Sequence, residues 1–285
     1  MRNLPDIRPT RQSMVGSSVV FSIQSDLAAA TSTLSETTDV DAVALSNSQV
    51  TVTLAEYGNA VNTSALVRGT SFLTIDNLVA NAIGFNAGIS HDTLVRNVVQ
   101  AGTNVRYTST AVSRVTVGAA MTLTAALVRR TRSELVGAFV AKNAGAYYQA
   151  YIHPDVTYDL RGETGAAAWR DPHTYSQPDE IWTGEMGEFE GFRFLETPRA
   201  PLFADAGVGG TVDVYATIFT GREAMAEAYS TVDGNSPEPR IILGPVVDKL
   251  RRLVPVGWYF LHGWSRFREA AIRRVESSSS IGVNV

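Results

Sequence analysis

The sequence contains no cysteine, and only Lys142 and Lys249 of its 24 basic residues are lysines. Without cysteine, the chain has no disulfides, thiolate metal ligands or thiol nucleophiles. No apolar run approaches the roughly 20 residues that span a bilayer. The first residues, MRNLPDIRPTRQ, also lack the apolar segment of a secretory signal. We therefore expect a soluble protein that is made in the cytosol and has no membrane contact.

The charge balance is slightly acidic, with 24 basic residues, 28 acidic residues and a formal net charge of -4. A surface that concentrates nucleic acid usually carries a net basic field, so sequence-independent DNA binding is disfavoured as the main activity. The preference for arginine over lysine suits fixed carboxylate pairing between packed surfaces. A bias of genomic composition explains it equally well.

Motifs that carry catalysis are also missing. The glycine run GVGG at 207–210 lacks the Lys-Ser/Thr of a phosphate loop, and no HExxH or GxSxG occurs. His153 and Asp155 flank Pro154 at a predicted strand-to-helix turn, where such side chains cap backbone amides more often than they bind metal. The other histidines are scattered singly: His91, His173 and His262. We predict no catalytic residue, no metal site and no cofactor.

The segment GEMGEFEGFRF contains the carboxylates Glu185, Glu188 and Glu190. Glycosidases use a pair of closely spaced carboxylates for catalysis, so a hydrolase is one alternative. The alternation instead puts Glu188 and Glu190 on one face of a strand and Phe189 on the other. A half-exposed hairpin is the favoured interpretation.

Two alternating segments lie near the start of the chain, SVVFSIQSDL at 18–27 and SQVTVTLAEYGNAVN at 48–62. They predict the two arms of a long hairpin, joined by a small, polar and acidic tip. A two-stranded hairpin alone is marginal in water, so we expect this one to contact a partner. The candidate intersubunit contacts are Val50, Val52, Leu54 and Tyr57.

Helical spacing of apolar residues predicts a long helix over 73–99 and a second helix over 124–140. Gly84 and Gly88 within the first either permit a close backbone approach or mark a bend, and Thr124 is the expected N-cap of the second. The expected buried face of the second helix comprises Leu127, Val128, Leu135 and Phe139. Its other side carries Arg129, Arg130 and Arg132, which form either a solvated face or a partner contact.

After residue 147 the pattern alternates strands with short helices. The predicted strands are YYQAYI, TVDVYATIFT, RIILG, VGWYFLHGWSRF and AAIRRVES, and EFEGFRFLE is predicted to be a pair of strands around Gly191. The predicted helices are residues 154–160 and EAMAEAY, and SSSSIGVNV is expected to fray. The chain is therefore assigned to the α+β class, with no repeat and no βαβ rhythm.

Two clusters near the C-terminus are candidates for contacts. The aromatic one is interpreted as core in preference to an interface anchor: Trp258, Tyr259, Phe260, Trp264 and Phe267. The basic one is a candidate for contact with DNA or with the acids of a neighbouring molecule: Arg251, Arg252, Arg273 and Arg274. Contact with phosphate would be nonspecific and sensitive to salt.

One region carries a resemblance to a known family. It contains YIHPDVTYDL, an isolated Trp169, Tyr175 with Pro178 close behind, and GEMGEFEGFRFLET. In order and spacing these motifs resemble the major capsid proteins of tailed bacteriophages, in the subfamily named after the coliphage N-four capsid protein. The segments VTVTLAEYGNAV, DNLVANAIGFNAGISHDTLVRN, VDVYATIFTGREA and VGWYFLHGWSRFREAAIRRVES extend the resemblance over most of residues 45–276.

The resemblance implies an α+β Hong-Kong-phage-type capsid fold and a structural role without catalysis. Its parts would be an N-terminal arm (1–17), an extended β-hairpin loop (18–66), a peripheral domain (67–117) with a spine helix (73–99), an axial domain (118–245), and C-terminal strands that return to the peripheral domain (246–285). It also implies hexamers and pentamers that form an icosahedral head around double-stranded DNA. The location would be the virion, after assembly in the host cytoplasm.

The founding phage of this fold cross-links its shell through a lysine on the extended loop, and residues 18–66 contain no lysine. Noncovalent contacts, arm exchange or a decoration protein would then strengthen the shell. The other expected partners are a portal and a separate scaffolding protein. One alternative is the shell of an encapsulin-type cellular compartment, which shares this fold, and the other is the hydrolase considered above.

Overall fold

The structure, a computed structural model, describes residues 8–12, 17–24, 27–37, 39–71, 74–143, 147–164, 188–230, 238–245, 248–250 and 252–281. The strands in these ranges, β1 to β14 in chain order, are Arg8–Gln12, Ser18–Gln24, Asn47–Thr53, Ala55–Ser64, Val105–Tyr107, Tyr148–Ile152, Glu188–Phe189, Phe192–Glu196, Leu202–Phe203, Val214–Thr220, Met225–Ser230, Arg240–Leu243, Leu253–Arg266 and Ile272–Ser277. The helices, α1 to α4, are Ala65–Thr70, Ile75–Gln100, Ala125–Gly137 and Pro154–Gly162. None of the helices in the described ranges is long and apolar enough to cross a membrane.

Most strands belong to two sheets. The first sheet has the order β1-β11-β13-β12, with β4 also paired to β13, and the second has the order β5-β14-β10-β6-β8-β7, with β9 also paired to β10. The 14-residue β13 connects the first sheet, since β4 runs antiparallel along it while β12 and β11 pair with successive stretches of it. Strands β6 and β8 are parallel and α4 lies in their connection, so one βαβ unit is present where the sequence indicated none.

The long helix α2 confirms the helix predicted over 73–99. Its buried residues recur at every fourth position, which is nearly one helical turn, and form a stripe that packs on β13: Ile83, Ala87, His91, Val95 and Val99. A Cβ atom added at Gly84 or Gly88 would meet nothing within 4 Å, which rules out a close backbone approach, one of the two alternatives, within the described residues. Both glycines lie on the open side of one uninterrupted helix.

The C-terminal end of α2 is fixed through a carboxylate. Glu269 accepts hydrogen bonds from the backbone N–H and the hydroxyl of Thr103, and from Nε of Arg266, while Arg266 also donates to the carbonyl of Val98. Burial alone would raise the pKa of Glu269, but these hydrogen bonds and the charge of Arg266 outweigh it and hold the pKa below its ordinary value. The ionised carboxylate therefore stabilises this junction.

The second predicted helix is also present as α3. Its N-cap is Thr124, whose hydroxyl accepts a hydrogen bond from the N–H of Leu127, as predicted. Val128 and Leu135 are buried, but Phe139 is 89% exposed and has a φ of 51°. The prediction that Phe139 is buried is wrong because the helix ends at Gly137 and the chain turns outward beyond it.

The predicted hairpin is present only in part. Strands β2 and β3 pair antiparallel with Val19 opposite Val52, and the N–H of Leu54 donates to the carbonyl of Ser17 beyond the last pair. From Ala55 onward the chain joins β13 in the first sheet, so residues 55–62 are not a hairpin arm. The apolar face of the hairpin packs on β11 and on Phe267.

Two assignments near the end of the chain are wrong. EAMAEAY was expected to be helical, yet β11 lies between β1 and β13. Sheet contacts override the helix propensity of alanine, methionine and glutamate, because Ala226 and Ala228 pack under the hairpin. The serines after β14 do not fray, since Ser278 and Ser279 are buried and donate to the carbonyls of Ala119 and Asp155.

The core interpretation of the aromatic cluster is confirmed for most of its members. Trp258, Phe260 and Phe267 are each 5% exposed, and Trp264 packs against both neighbouring groups of buried residues. Tyr259 is the exception, because its side chain is on the exposed face of β13. The main core, by contrast, lies around the second sheet, where the rings of Phe192 and Phe219 meet edge to face at 4.7 Å.

Candidate interaction surfaces

The chain exposes more surface than a compact protein of its size. Its accessible surface is 17012 Å² at a mass of 30.7 kDa, whereas the size scaling of folded monomers gives roughly 12,000 Å². A subunit with this much uncovered area can contact several neighbours at once.

One uncovered element of the described chain is the loop segment, which we define as residues 27–46, between β2 and β3. Its described residues are exposed and form no helix or strand. Its larger apolar side chains are between 52% and 76% exposed: Leu27, Leu34, Val40, Val43 and Leu45. The charged residues of the segment are Glu36, Asp39 and Asp41, with no lysine or arginine. The loop segment is thus an apolar and acidic surface that its own chain leaves uncovered.

The hairpin residues predicted to contact a neighbour instead pack inside their own subunit. Val52 is fully buried, and Val50 and Leu54 are partly buried against the same cluster on β11. The Tyr57 ring lies 5.6 Å from the Phe260 ring, under α2. Val52 therefore offers no side-chain surface to a neighbour. The uncovered surface lies instead in the loop segment, before β3.

A second uncovered surface is the edge strand β12. Ile241, Ile242 and Leu243 are all exposed, and β12 pairs only with β13 among the described residues. Next to it, an open cavity of about 370 Å³ is lined by residues that include Ile242, Pro255 and Trp258. Exposed apolar edge strands are sites for pairing with another chain. The three consecutive apolar residues of RIILG were the available sequence signal, but they were interpreted only as a strand.

The arginines of α3 lie at the surface and pair within the chain. Arg129 and Arg132 each approach a Glu190 oxygen to 3.7 Å, and Arg130 lies 3.4 Å from Glu134, with arginine side chains between 43% and 66% exposed. Such exposed pairs contribute about 0–1 kcal/mol, so the guanidinium groups can exchange partners. The solvated-face interpretation fits this geometry.

The C-terminal arginines differ among themselves. Arg274 is buried with its Nε 2.9 Å from the fully buried carboxylate of Glu276, and Arg273 is largely buried beside Glu134. Since Arg274 is enclosed in the subunit, the prediction that it contacts DNA or a neighbour is wrong. Arg252 is exposed beside Asp248, and Arg251 lies outside the described residues.

The proposed acid and base residues have structural roles. Nδ1 of His153 accepts a hydrogen bond from the N–H of Asp155 at the start of α4, which confirms the capping interpretation. The carboxylate of Asp155 accepts a hydrogen bond from the hydroxyl of Tyr215, and burial together with this bond raises the pKa of Tyr215. Glu190 lies in the β7–β8 turn with a φ of 50°, and Glu185 is outside the described residues.

Three titratable residues that are far apart in sequence come together between α2 and the first sheet. His91, Glu227 and His262 each place one potential ligand atom within 4.8 Å of the others. The two histidines are buried, and the Glu227 side chain is 12% exposed. No sequence motif indicates this cluster, because positions 91, 227 and 262 lie far apart in the chain. Only the pairing of β11 with β13 and the docking of α2 bring them together.

Comparison with known proteins identifies this architecture. The family model described as phage capsid protein matches residues 5–281, while no curated protein matches the sequence. The capsid of Ralstonia phage GP4 superposes with a TM-score of 0.77 at 14% identity, covering 96% of this chain and 87% of that one. The corresponding values are 0.72, 15%, 98% and 92% for the capsid of cyanophage Pam1, and 0.69, 13%, 95% and 88% for the acid-stable capsid of Helicobacter pylori bacteriophage KHP30. These superpositions confirm the predicted capsid-type α+β fold. Because the family match spans nearly the whole sequence, the chain belongs to the phage capsid protein family.

Proposed function

We propose that this chain is the major capsid protein of a tailed phage, and that its copies form hexamers and pentamers that close into an icosahedral head around double-stranded DNA. The observation that carries the proposal is the apolar loop segment, which the subunit leaves in water. Head-to-tail contact between identical subunits closes into rings when the rotation permits, and such contact would cover the loop segment of every copy. The activity of the protein is then assembly, without a catalytic step.

The segments implied by the resemblance receive support from strand pairing, with several changes. Residues 1–17 would be the arm, 18–54 the extended loop, and α2 with the first sheet the peripheral domain. Strand β11 pairs with β13, which favours moving it from the axial to the peripheral domain. Strand β14 pairs with β10, which favours moving it to the axial domain.

The loop segment can be tested by removing it without disturbing the hairpin. Because Gln24 pairs with Asn47 at the open end of β2 and β3, an Asn-Gly turn can replace residues 25–46 and close a two-residue hairpin. We expect this variant to fold with a melting temperature close to that of the unassembled wild-type subunit and to form no shells in cells that supply the other head proteins. Electron microscopy of the particles gives the result. Wild-type yields of closed shells from the variant would contradict the proposal.

The identity of the particle is tested separately. Mass spectrometry of the most abundant protein in purified virions should identify this chain, and the particles should contain DNA. Cellular shells that enclose enzymes and no DNA would support the encapsulin-type alternative. A hydrolase is not favoured, because Glu188 and Glu190 lie on a solvated hairpin with Glu190 between two arginines.

Partners other than the chain itself follow from the same proposal. A portal, a separate scaffolding protein and a decoration protein would complete the head, which is assembled in the host cytoplasm. Since residues 18–66 contain no lysine, the shell would be held by noncovalent burial and not by cross-links from this loop. Uniform shells of native size formed by the chain alone would exclude the scaffolding protein. Among the C-terminal arginines, Arg252 is the candidate for nonspecific contact with DNA, and its effect should weaken with salt.

A further inference from the structure

The cluster of His91, Glu227 and His262 lies on the inner face of the first sheet. Successive residues of a strand point to opposite faces, so Ala226 and Ala228 of β11 pack under the hairpin while Glu227 lies on the face toward α2. On the neighbouring β13, His262 lies on that same face. The long helix supplies His91 from the middle of its buried stripe.

The distances suit one bound ion. Nδ1 of His262 lies 3.1 Å from Oε1 of Glu227, and the three potential ligand atoms lie within 4.8 Å of one another. Zinc binds nitrogen and oxygen at roughly 2.0–2.2 Å, which in a tetrahedral arrangement separates the ligand atoms by about 3.4 Å. The widest pair therefore has to close by at most about 1.4 Å, which is a side-chain adjustment.

The surroundings also fit a metal site. Each neutral imidazole offers one nitrogen lone pair, so a divalent cation can accept both imidazoles and the carboxylate together. Aromatic rings enclose the cluster, with Trp264 5.1 Å from His91 and 4.7 Å from His262, and Tyr229 stacked on His262 at 5.5 Å. An apolar shell of this kind limits the access of bulk solvent to a metal and its ligands.

We propose that His91, Glu227 and His262 form a binding site for a divalent transition-metal ion. Two imidazoles and one carboxylate suit zinc better than magnesium or calcium, which prefer oxygen ligands. The three residues leave the fourth position of a tetrahedral zinc ion for water. The bound ion would join the long helix to β11 and β13. This inference goes beyond the role in a phage head and does not depend on it.

The test uses the full chain, purified with a chelator and then dialysed against zinc. We expect about one zinc per chain by elemental mass spectrometry after gel filtration, as one three-ligand site predicts. Replacement by cobalt should give the visible absorption of a tetrahedral Co²⁺ ion. Zinc should also raise the melting temperature of the protein.

Two variants distinguish this site from incidental binding. Glu227→Gln preserves the size of the side chain but removes the charged ligand, so zinc affinity should fall at least about 10-fold, which is the loss that even an outer-shell change can cause. His153→Asn is the matched control, because it removes another imidazole and retains a side chain that caps helices, and its zinc content should equal that of the wild type.

The wild-type measurements stand by themselves if Glu227→Gln does not fold. Less than about a tenth of a zinc per wild-type chain, where one site predicts about one, would overturn the proposal. So would equal affinity of the wild type and a folded Glu227→Gln variant. Either outcome would leave the cluster as a buried imidazole–carboxylate pair.

Discussion

Replacement of Glu276 by glutamine should be among the most destabilising single changes in the chain. Its carboxylate is fully buried and binds two guanidinium groups, with Arg114 at 2.9 Å and 2.7 Å and Arg274 at 2.9 Å. The Arg114 guanidinium also lies 3.4 Å from the centre of the Phe203 ring, which limits its freedom to turn toward water. Glu276→Gln therefore leaves two guanidinium cations, of which Arg274 is almost enclosed, facing a neutral amide.

The burial of the Glu276 carboxylate sets the expected loss in the free energy of unfolding. Breaking a buried ion pair from one side typically costs about 3–5 kcal/mol, because the remaining charge loses its compensation. Arg274 is almost enclosed while Arg114 is partly exposed, so water can recover part of the loss at Arg114 only. We expect the free energy of unfolding to fall by about 3 kcal/mol, a large part of the 5–15 kcal/mol that is typical of folded domains.

The assay is urea unfolding of the unassembled subunit, followed by far-ultraviolet circular dichroism. Glu196→Gln is the matched control, because Glu196 is exposed on the same sheet, and it should change the free energy of unfolding by less than about 0.5 kcal/mol. A loss below about 1 kcal/mol for Glu276→Gln, the level of an exposed ion pair, would refute the assignment of this carboxylate as the centre of a buried ion network.

Three further predictions concern backbone packing, pH and assembly. Gly84→Ala should raise the free energy of unfolding by about 1 kcal/mol, because the position is helical and open. Gly263→Ala should instead lower the free energy of unfolding by at least about 1 kcal/mol, since the added carbon would overlap the carbonyl of Thr53. Thermal melts of the two variants check both signs. Because the folded pKa of Glu269 is depressed, its contribution to stability is present above the unfolded pKa and lost as pH falls through the folded one, so melting temperatures measured from neutral to acidic pH should fall less steeply for Glu269→Gln. Ile242→Asp puts a charge on the exposed edge strand and should reduce the yield of shells, measured by sedimentation, with an unchanged subunit melting temperature; an unchanged yield would remove β12 from the assembly surface.

Local patterns predicted the elements that depend on local chemistry. The helical period of α2, the hydroxyl of Thr124 and the turn at Gly191 each act within a few residues, and all three are present in the structure. The errors arise where pairing with strands distant in sequence determines the secondary structure of a segment. Met225–Ser230 became a strand because β1 and β13 pair with it, and the chain leaves the hairpin at Ala55 because β13 offers ten consecutive pairing positions.

The candidate sites divide in the same way. The exposure of the α3 arginines followed from helical geometry, whereas the enclosure of Arg274 depends on β5 and β10, which pair with its strand on either side. The histidine cluster depends on three elements at once, so no window of sequence contains it. Sequence patterns therefore indicated surface character along single elements and missed the polar groups that the tertiary fold encloses.

The junction between β3 and β4 limits how the loop segment can move. β3 ends at Thr53 and β4 begins at Ala55, so Leu54 alone separates the hairpin from a strand held at ten positions along β13. A change in the angle of the hairpin must rotate the backbone at this pivot, break the Ser17–Leu54 hydrogen bond, or lift the hairpin from Ala226 and Ala228. Subunits that meet at different angles would therefore share the same hairpin orientation. Adjustment to each neighbour would then come from the twenty residues of the loop segment at the far end of the hairpin.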